Sequence, residues 1–258
     1  MHILVTNDDG VTAPGLFSLV QEMRRLGTVT VLAPDRNWSA SGHVKTMHRP
    51  LRVKEVQLCD GSSVLASDGA PSDCVALAAL GLIPDKIDLV VSGINPNANV
   101  GHDVTYSGTV TAAMEAVIWG IPGIAVSLDS PAEHKGSLDY GPAARVAFQV
   151  ARAASEKGLP KGILLNVNVP YLPDEQIRGV QITRQGLRLY RDSLVQRKDP
   201  RGRPYYWIGG ESPTGVPEEG TDFGALAAGA VSITPLHLDL SAYQAMEELS
   251  SWGIELDH

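Results

Sequence analysis

The stretch IDLVVSGINPNANVGHDVTYSGTVTAAMEAVIWGIPGIAVSL, residues 87–128, passes from a branched apolar run through an asparagine-rich loop into a helical segment, then to a second apolar run. The two runs, IDLVVS (87–92) and GIAVSL (123–128), are continuous rather than alternating. Strands of that composition are buried on both faces, as in a parallel sheet whose crossovers are helices. The same alternation extends outward: ILVT (3–6), TVTVLA (28–33) and GILLNVNV (162–169) read as further strands. GLFSLVQEMRRLG (15–27) reads as a helix with Leu16, Leu19, Val20, Met23 and Leu26 on one face. APSDCVALAALG (70–81) starts near Pro71 and Asp73, and GPAARVAFQVARAASEKG (141–158) closes on glycine. Strand, helix, strand in this order predicts right-handed crossovers and an α/β doubly wound, mainly parallel sheet.

Two departures are expected. LRVKEVQL and SSVLAS flank Asp60-Gly61, a turn dipeptide between alternating runs, which predicts an inserted hairpin. LRLYRDSLVQRKDPRGRPYYWIGG (187–210) reads as a protruding hairpin arm, and the tail from 225 to 253 as one strand and a last amphipathic helix. The expected division is a core over 1–180 and an arm with C-terminal strand and helix over 181–258.

Composition narrows the function. The chain has 258 residues, 43% of them hydrophobic, with 21 basic against 29 acidic residues and a formal net charge of −8. With no cluster of Lys or Arg, nucleic-acid wrapping is not expected, and any bound phosphate needs local neutralisation. A five-residue apolar run backed by carboxylates fails as a signal peptide and no segment reaches membrane-spanning length, so a cytoplasmic protein with no membrane partner is expected. Cys59 and Cys74 have no zinc-ligand spacing or disulfide framework around them.

In an open parallel sheet, ligands bind beyond the carboxyl ends of the strands, near the point where strand order reverses. The first strand runs into Asn7, Asp8, Asp9 and Gly10; the second into APDRNWSASGH, with Ser39, Ser41 and His43; IDLVVS into a loop with Asn95, Asn97, Asn99 and Asp103. Asp-Asp-Gly is by itself a turn signal. Yet adjacent carboxylates repel, and with hard oxygen donors in the neighbouring loops they invite Mg²⁺ or Mn²⁺. Ser107, Gly108 and Thr109 stand at a helix start, where free N–H groups and the positive dipole end bind anions. A metal beside an anion cradle suggests phosphate-ester chemistry. G-x-G-x-x-G after the first strand, Gly-Lys-Ser/Thr and G-x-S-x-G are all missing, which argues against dinucleotide, P-loop and serine-hydrolase chemistry. His43, His48 and His102 are candidate acids for a leaving group.

ILVTNDDG with PG behind it, APDRNWSASGH, DGAPSDCV and VSGINPNANVGHDVTYSGTVTAAMEA, in this order between Ile3 and Ala116, resemble the survival protein E (SurE) family of metal-dependent 5′-nucleotidases. The resemblance implies a Rossmann-like fold, hydrolysis of nucleoside 5′-monophosphates and activity on short polyphosphate. It implies one divalent cation per subunit, ligated at the positions of Asp8, Asp9, Ser39 and Asn95. It also implies a homodimer or homotetramer exchanging C-terminal segments. Pro96 and Asn97 depart from a family pattern with glycine two residues after SGIN, Ala40 stands where glycine is common, and His102 where an acidic residue is common.

The expected mechanism uses Asp8, Asp9 and Asn95 with the cation to activate water, and Ser107, Gly108 and Thr109 to hold phosphoryl oxygens. Attack by an aspartate through a phosphoaspartyl intermediate is the competing route. A non-catalytic nucleotide or metal sensor, and a metal-dependent transferase using a diphosphate donor, are the other classes that fit these residues.

Overall fold

The computed structural model describes residues 1–254. Its elements are β1 (His2–Thr6), α1 (Pro14–Met23), β2 (Thr28–Pro34), β3 (Val53–Gln57), β4 (Ser63–Ser67), α2 (Pro71–Leu77), β5 (Leu89–Asn95), α3 (Gly108–Ile118), β6 (Gly123–Asp129), α4 (Gly141–Lys157) and β7 (Ile163–Pro170). Beyond them come β8 (Val180–Ile182), β9 (Arg188–Lys198), β10 (Pro204–Gly215), α5 (Asp222–Ala227), β11 (Val231–His237) and α6 (Tyr243–Ser250).

Among the described residues the main sheet runs in the order β3-β4-β2-β1-β5-β6-β7-β11-β8. Its centre is parallel, with Ile3 opposite Val29 on one side and Leu89 on the other. β3 pairs antiparallel with β4 across the predicted Asp60-Gly61 turn, and β11 pairs antiparallel with β7. β8 and β11 thus join the same sheet although they lie beyond residue 180.

Alternate residues of each central strand face opposite helical layers, which is why the apolar runs are continuous. Ile3, Val5 and Val91 pack against Leu16, Leu19 and Met23 of α1 and the small face Ala143, Ala144, Ala147 of α4. Leu4, Leu32 and Val90 pack on the other side against Cys74 and Val75 of α2 and Ala112 and Ala116 of α3. Alanine dominates α3 and α4 at these contacts, so both helices lie close on the sheet. Cys74, the residue with no evident role in the sequence, is core filling.

The chain leaves β1 for β2 on one side and later returns to lay β5 on the other side of β1. Strand order therefore reverses between β1 and β5, and their carboxyl ends open a crevice at the switch point. β9 and β10 form a separate two-stranded antiparallel ribbon, Pro204 opposite Lys198, that carries the arm away from the body. The last helix forms as expected, but none of its residues is buried. The short helix α5 and the three-residue strand β8 were not foreseen; both are too short to show a periodic apolar pattern.

Candidate active site at the β1/β5 crevice

The loop after β1 is locked by its own side chain. Asn7, fully buried, donates from Nδ2 to the Gly10 carbonyl at 3.0 Å and accepts the Gly10 N–H at 3.2 Å. This asparagine turn holds Asp8 and Asp9 at the strand end with little freedom. Trp38 N–H donates to the Asp8 carbonyl at 2.7 Å and Val11 N–H to the Pro34 carbonyl at 2.8 Å, tying the loop to the one after β2.

Asp8 is 3% exposed and faces the start of α3. Thr109 donates from its hydroxyl to Asp8 Oδ1 at 2.6 Å. Gly108 lies so close that a Cβ there would come within 2.7 Å of the Asp8 Cβ, so only glycine lets the helix reach the carboxylate. Ser107 caps α3, its hydroxyl oxygen accepting the Val110 N–H at 3.1 Å. The Ser107–Thr109 start expected to hold a phosphate is thus brought up against Asp8 itself, with Thr109 spending its hydroxyl on the carboxylate.

Asn37 extends Nδ2 to 3.4 Å from Asp9 Oδ1 while its own Oδ1 accepts the Ser39 N–H at 2.7 Å, which places Ser39, an exposed residue, on the Asp9 side of the crevice. Asn95 ends β5, where the register against β6 shifts between Gly93 and Asn95, and its Nδ2 donates to the Asn97 carbonyl at 2.6 Å. That hydrogen bond engages the amide nitrogen, while the Asn95 amide oxygen has no hydrogen-bond partner among the described residues and can serve as a ligand atom.

Burial raises the Asp8 carboxyl above its ordinary range, with the Thr109 hydrogen bond opposing. Asp9 is pushed up to about 7, first by burial and then by the Asp8 charge. Two unit charges about 4 Å apart interact by about 1 kcal/mol in water but about 4 kcal/mol at an effective dielectric of about 20. Among the described residues neither aspartate forms an ion pair with Lys, Arg or His. A like-charge pair of this kind, one carboxylate buried and the other half-buried, is relieved by a proton or by a cation. A site holding three or more His, Cys, Asp or Glu side chains is not found among the described residues. Two carboxylates beside neutral oxygens remain, a donor set that suits Mg²⁺ or Mn²⁺ with waters and phosphate completing the shell.

Of the three candidate histidines, His43 is committed to a partner outside the Asp8–Asp9 pair. His43 Nε2 meets Glu115 Oε2 at 2.8 Å, where Glu115 also accepts from Trp119 Nε1 at 2.8 Å and has Lys45 at 3.7 Å. With Thr46 donating to Asp73, this straps the 38–50 loop onto α2 and α3. His48 and His102 are exposed.

Three supports escaped the sequence. The Tyr140 ring packs against Gly15 of α1 next to the Ile94 carbonyl of β5, and burial and the charge of Asp9 raise its hydroxyl pKa. Asn166 and Asn168 donate to the Asn99 carbonyl at 2.8 and 3.0 Å, Asn168 accepts the Asn99 N–H, and Asn99 reaches Ser127. Two asparagines at alternate positions of the otherwise apolar GILLNVNV were the available signal. Asp222, fully buried, accepts the N–H groups of Gly101 and Gly186 at 2.7 and 2.8 Å, joining the second half of the chain to the loop behind Asn95. Nothing local to Asp222 announces that contact.

Fold and site together define a doubly wound α/β protein with a buried, oxygen-lined acidic site at its topological switch point. The family model for survival protein SurE matches residues 3–192. The chain is 55% identical over 251 residues to 5′-nucleotidase SurE of Herpetosiphon aurantiacus, covering 97% of this chain and 98% of that one. It is 51% identical to 5′-nucleotidase SurE of Chloroflexus aggregans, covering 99% and 100%. The crystal structure of the SurE protein from Aquifex aeolicus superposes with a TM-score of 0.82 at 39% identity, covering 97% of this chain and 99% of that one. The chain belongs to the survival protein SurE family.

Proposed function

We propose that this chain is a 5′-nucleotidase that hydrolyses nucleoside 5′-monophosphates to nucleoside and phosphate, accepts short polyphosphate, and holds one Mg²⁺ or Mn²⁺ per subunit through Asp8, Asp9, Ser39 and Asn95. The observation that carries it is the Asp8–Asp9 pair at the β1/β5 switch point, Asp8 buried and Asp9 half-buried, with no cationic side chain to balance it among the described residues. Its relatives' names supply the substrate class. When bound, the ion supplies positive charge to a phosphoryl oxygen and makes a nearby water more acidic.

The side chains do the positioning. Thr109 orients Asp8, and the Asn7 turn fixes the angle at which Asp9 enters the crevice. The Asn95 nitrogen is committed to Asn97, and its amide oxygen is the atom that would ligate the ion. The first N–H groups of α3 contribute their dipole where charge develops on the phosphoryl oxygens. The water oxygen bonds to phosphorus in line as the bond to the ribose O5′ breaks, and the proton the water gives up is balanced by the one the leaving O5′ takes from solvent.

The arm and tail form the subunit contacts of a homodimer or homotetramer. Trp207, Ile208, Leu240 and Trp252 are exposed there, and charged or polar groups would occupy such positions on a surface that stays in water.

Phosphate release from mononucleotides, short polyphosphate and p-nitrophenyl phosphate, with Mg²⁺, Mn²⁺ or EDTA, tests the function. Release that stops with EDTA supports it. Nucleotide binding without release marks a sensor, and turnover only with an acceptor molecule marks a transferase.

A further inference from the structure

Residues 35–52, between β2 and β3, form no helix or strand, and none of them is buried. Connections of that length without structure of their own are usually functional, and this one carries Ser39. With no side chain in the core, its course is set by polar ties. Those ties converge on α2, α3 and the residue before α3. Gly42 N–H donates to the Tyr106 carbonyl at 2.9 Å, and the Thr111 hydroxyl donates to the Gly42 carbonyl at 3.1 Å. Ser72 donates to the Val44 carbonyl. His43 Nε2 lies 2.8 Å from Glu115 Oε2, and Lys45 Nζ lies 3.7 Å from Glu115 Oε1.

Glu115 is out of place in α3. Its side chain is 5% exposed, and Ala112, Ala113 and Ala116 beside it in sequence are core. A buried carboxylate is costly unless its charge and lone pairs are matched. The Trp119 indole N–H, at 2.8 Å, comes from the end of the same helix; the other partners, His43 and Lys45, come from the connection. With one member sheltered from water, such a clasp is screened less than a surface ion pair. Backbone conformation shows why a clasp is needed. Ala40, directly after Ser39, has φ of +56°, in the left-handed region that L side chains rarely adopt. A segment held that way relaxes unless it is tied on both sides. Before it, Trp38 N–H holds the Asp8 carbonyl at 2.7 Å; after it come Gly42 and the Glu115 clasp.

We propose that Glu115, acting through His43 and Lys45, is a positioning residue for Ser39: its clasp keeps the Ser39 turn beside Asp9, and so sets the affinity of the crevice for its cation. Glu115 itself touches neither ion nor substrate. The inference rests on the cation reading, and within it on Ser39 as a ligand. It gives a buried carboxylate in a helix of small apolar residues a reason to be there, which packing does not supply.

Two measurements on the full chain test it: the Mn²⁺ dissociation constant, and hydrogen exchange of the 38–46 amides in metal-free protein. Glu115→Ala removes the clasp from the helix side. His43→Ala with Lys45→Ala, both at exposed positions, removes it from the other, and decides alone if Glu115→Ala does not fold. In each, the dissociation constant is expected to rise about tenfold, the scale of a lost partner behind a metal ligand. Exchange should speed up in 38–46 while β1 and β5 keep theirs. The same substitutions are then made in Ser39→Ala. There they should change Mn²⁺ affinity by less than about twofold, because the ligand they position is already gone. An equal loss in both backgrounds makes the clasp a general element of the fold and overturns the inference. No loss in the presence of Ser39, or unaltered exchange at 38–46, overturns it as well. Failure of the cation reading shows differently: wild type binds no Mn²⁺, or Asp9→Asn binds it equally well, and the inference falls with it.

Discussion

At the ends of β1 and β5 polar side chains are enclosed: Asn7 and Thr109 have no exposed surface and Asp8 has 3%. On the arm and the last helix the opposite holds, with Ile208 85% and Leu240 90% exposed. Each arrangement is costly in isolation, since a buried charge lacks hydration and an exposed apolar side chain orders water. Each would be relieved by a binding partner: on the function proposed above, a cation with phosphate in the crevice and another protein surface on the arm. The two halves of the chain thus advertise function by opposite violations of the same burial rule.

The largest effect is expected at the crevice. Asp8→Asn and Asp9→Asn should each lower phosphate release by at least about a hundredfold, measured as kcat/KM with saturating Mn²⁺, because either change removes a charge that the ion requires. Activity within a few-fold of wild type would move the chemistry elsewhere. Thr109→Val keeps the shape but removes the hydroxyl that orients Asp8, and should cost about 10–100-fold while raising the metal concentration needed for half-maximal activity. Unchanged metal dependence would reduce Thr109 to a packing residue.

A pH effect comes next. The folded carboxyls of Asp8 and Asp9 are raised, so between about pH 4 and about pH 7 the folded state binds more protons than the unfolded chain. Their contribution to stability is present in full below the unfolded value and is lost as pH rises through the folded value. Metal-free protein should therefore gain thermal stability when Asp9→Asn is introduced at pH 7.5, but not at pH 4, as read by melting temperature. The smallest effect on turnover is expected from Trp207→Ser with Ile208→Ser on the arm. Sedimentation should show a smaller assembly, and melting of the Asp8–Asp9 core should change little; an unaltered mass would remove the arm from the interface.

Much of the fold was legible because strands buried on both faces must be continuously apolar, and ILVT, IDLVVS and GIAVSL obey that. Asp60-Gly61 and the arm were legible through turn chemistry. The acidic pair was visible for a related reason: two carboxylates at the end of an apolar strand have no packing role. Thr109 reaching back to Asp8, by contrast, depends on how α3 crosses the sheet, a relation between residues 101 positions apart. The same holds for Asp222 and Gly101, 121 positions apart, and for Tyr140 against Gly15. Side-chain partners across a crossover are fixed by packing, and sequence spacing carries no record of them. His43 shows the converse, a residue with the right chemistry near the right loop whose pairing with Glu115 makes it a strap.

Whether Asp8 and Asp9 form a cation site is tested most directly by equilibrium titration with Mn²⁺, followed by its electron paramagnetic resonance signal from pH 5.5 to 8.5. Wild-type protein should bind one ion per chain, with affinity rising as pH passes through about 7, where Asp9 loses its proton; Asp9→Asn should bind far more weakly at every pH. Stoichiometric Mn²⁺ binding of undiminished affinity in Asp9→Asn would contradict the account.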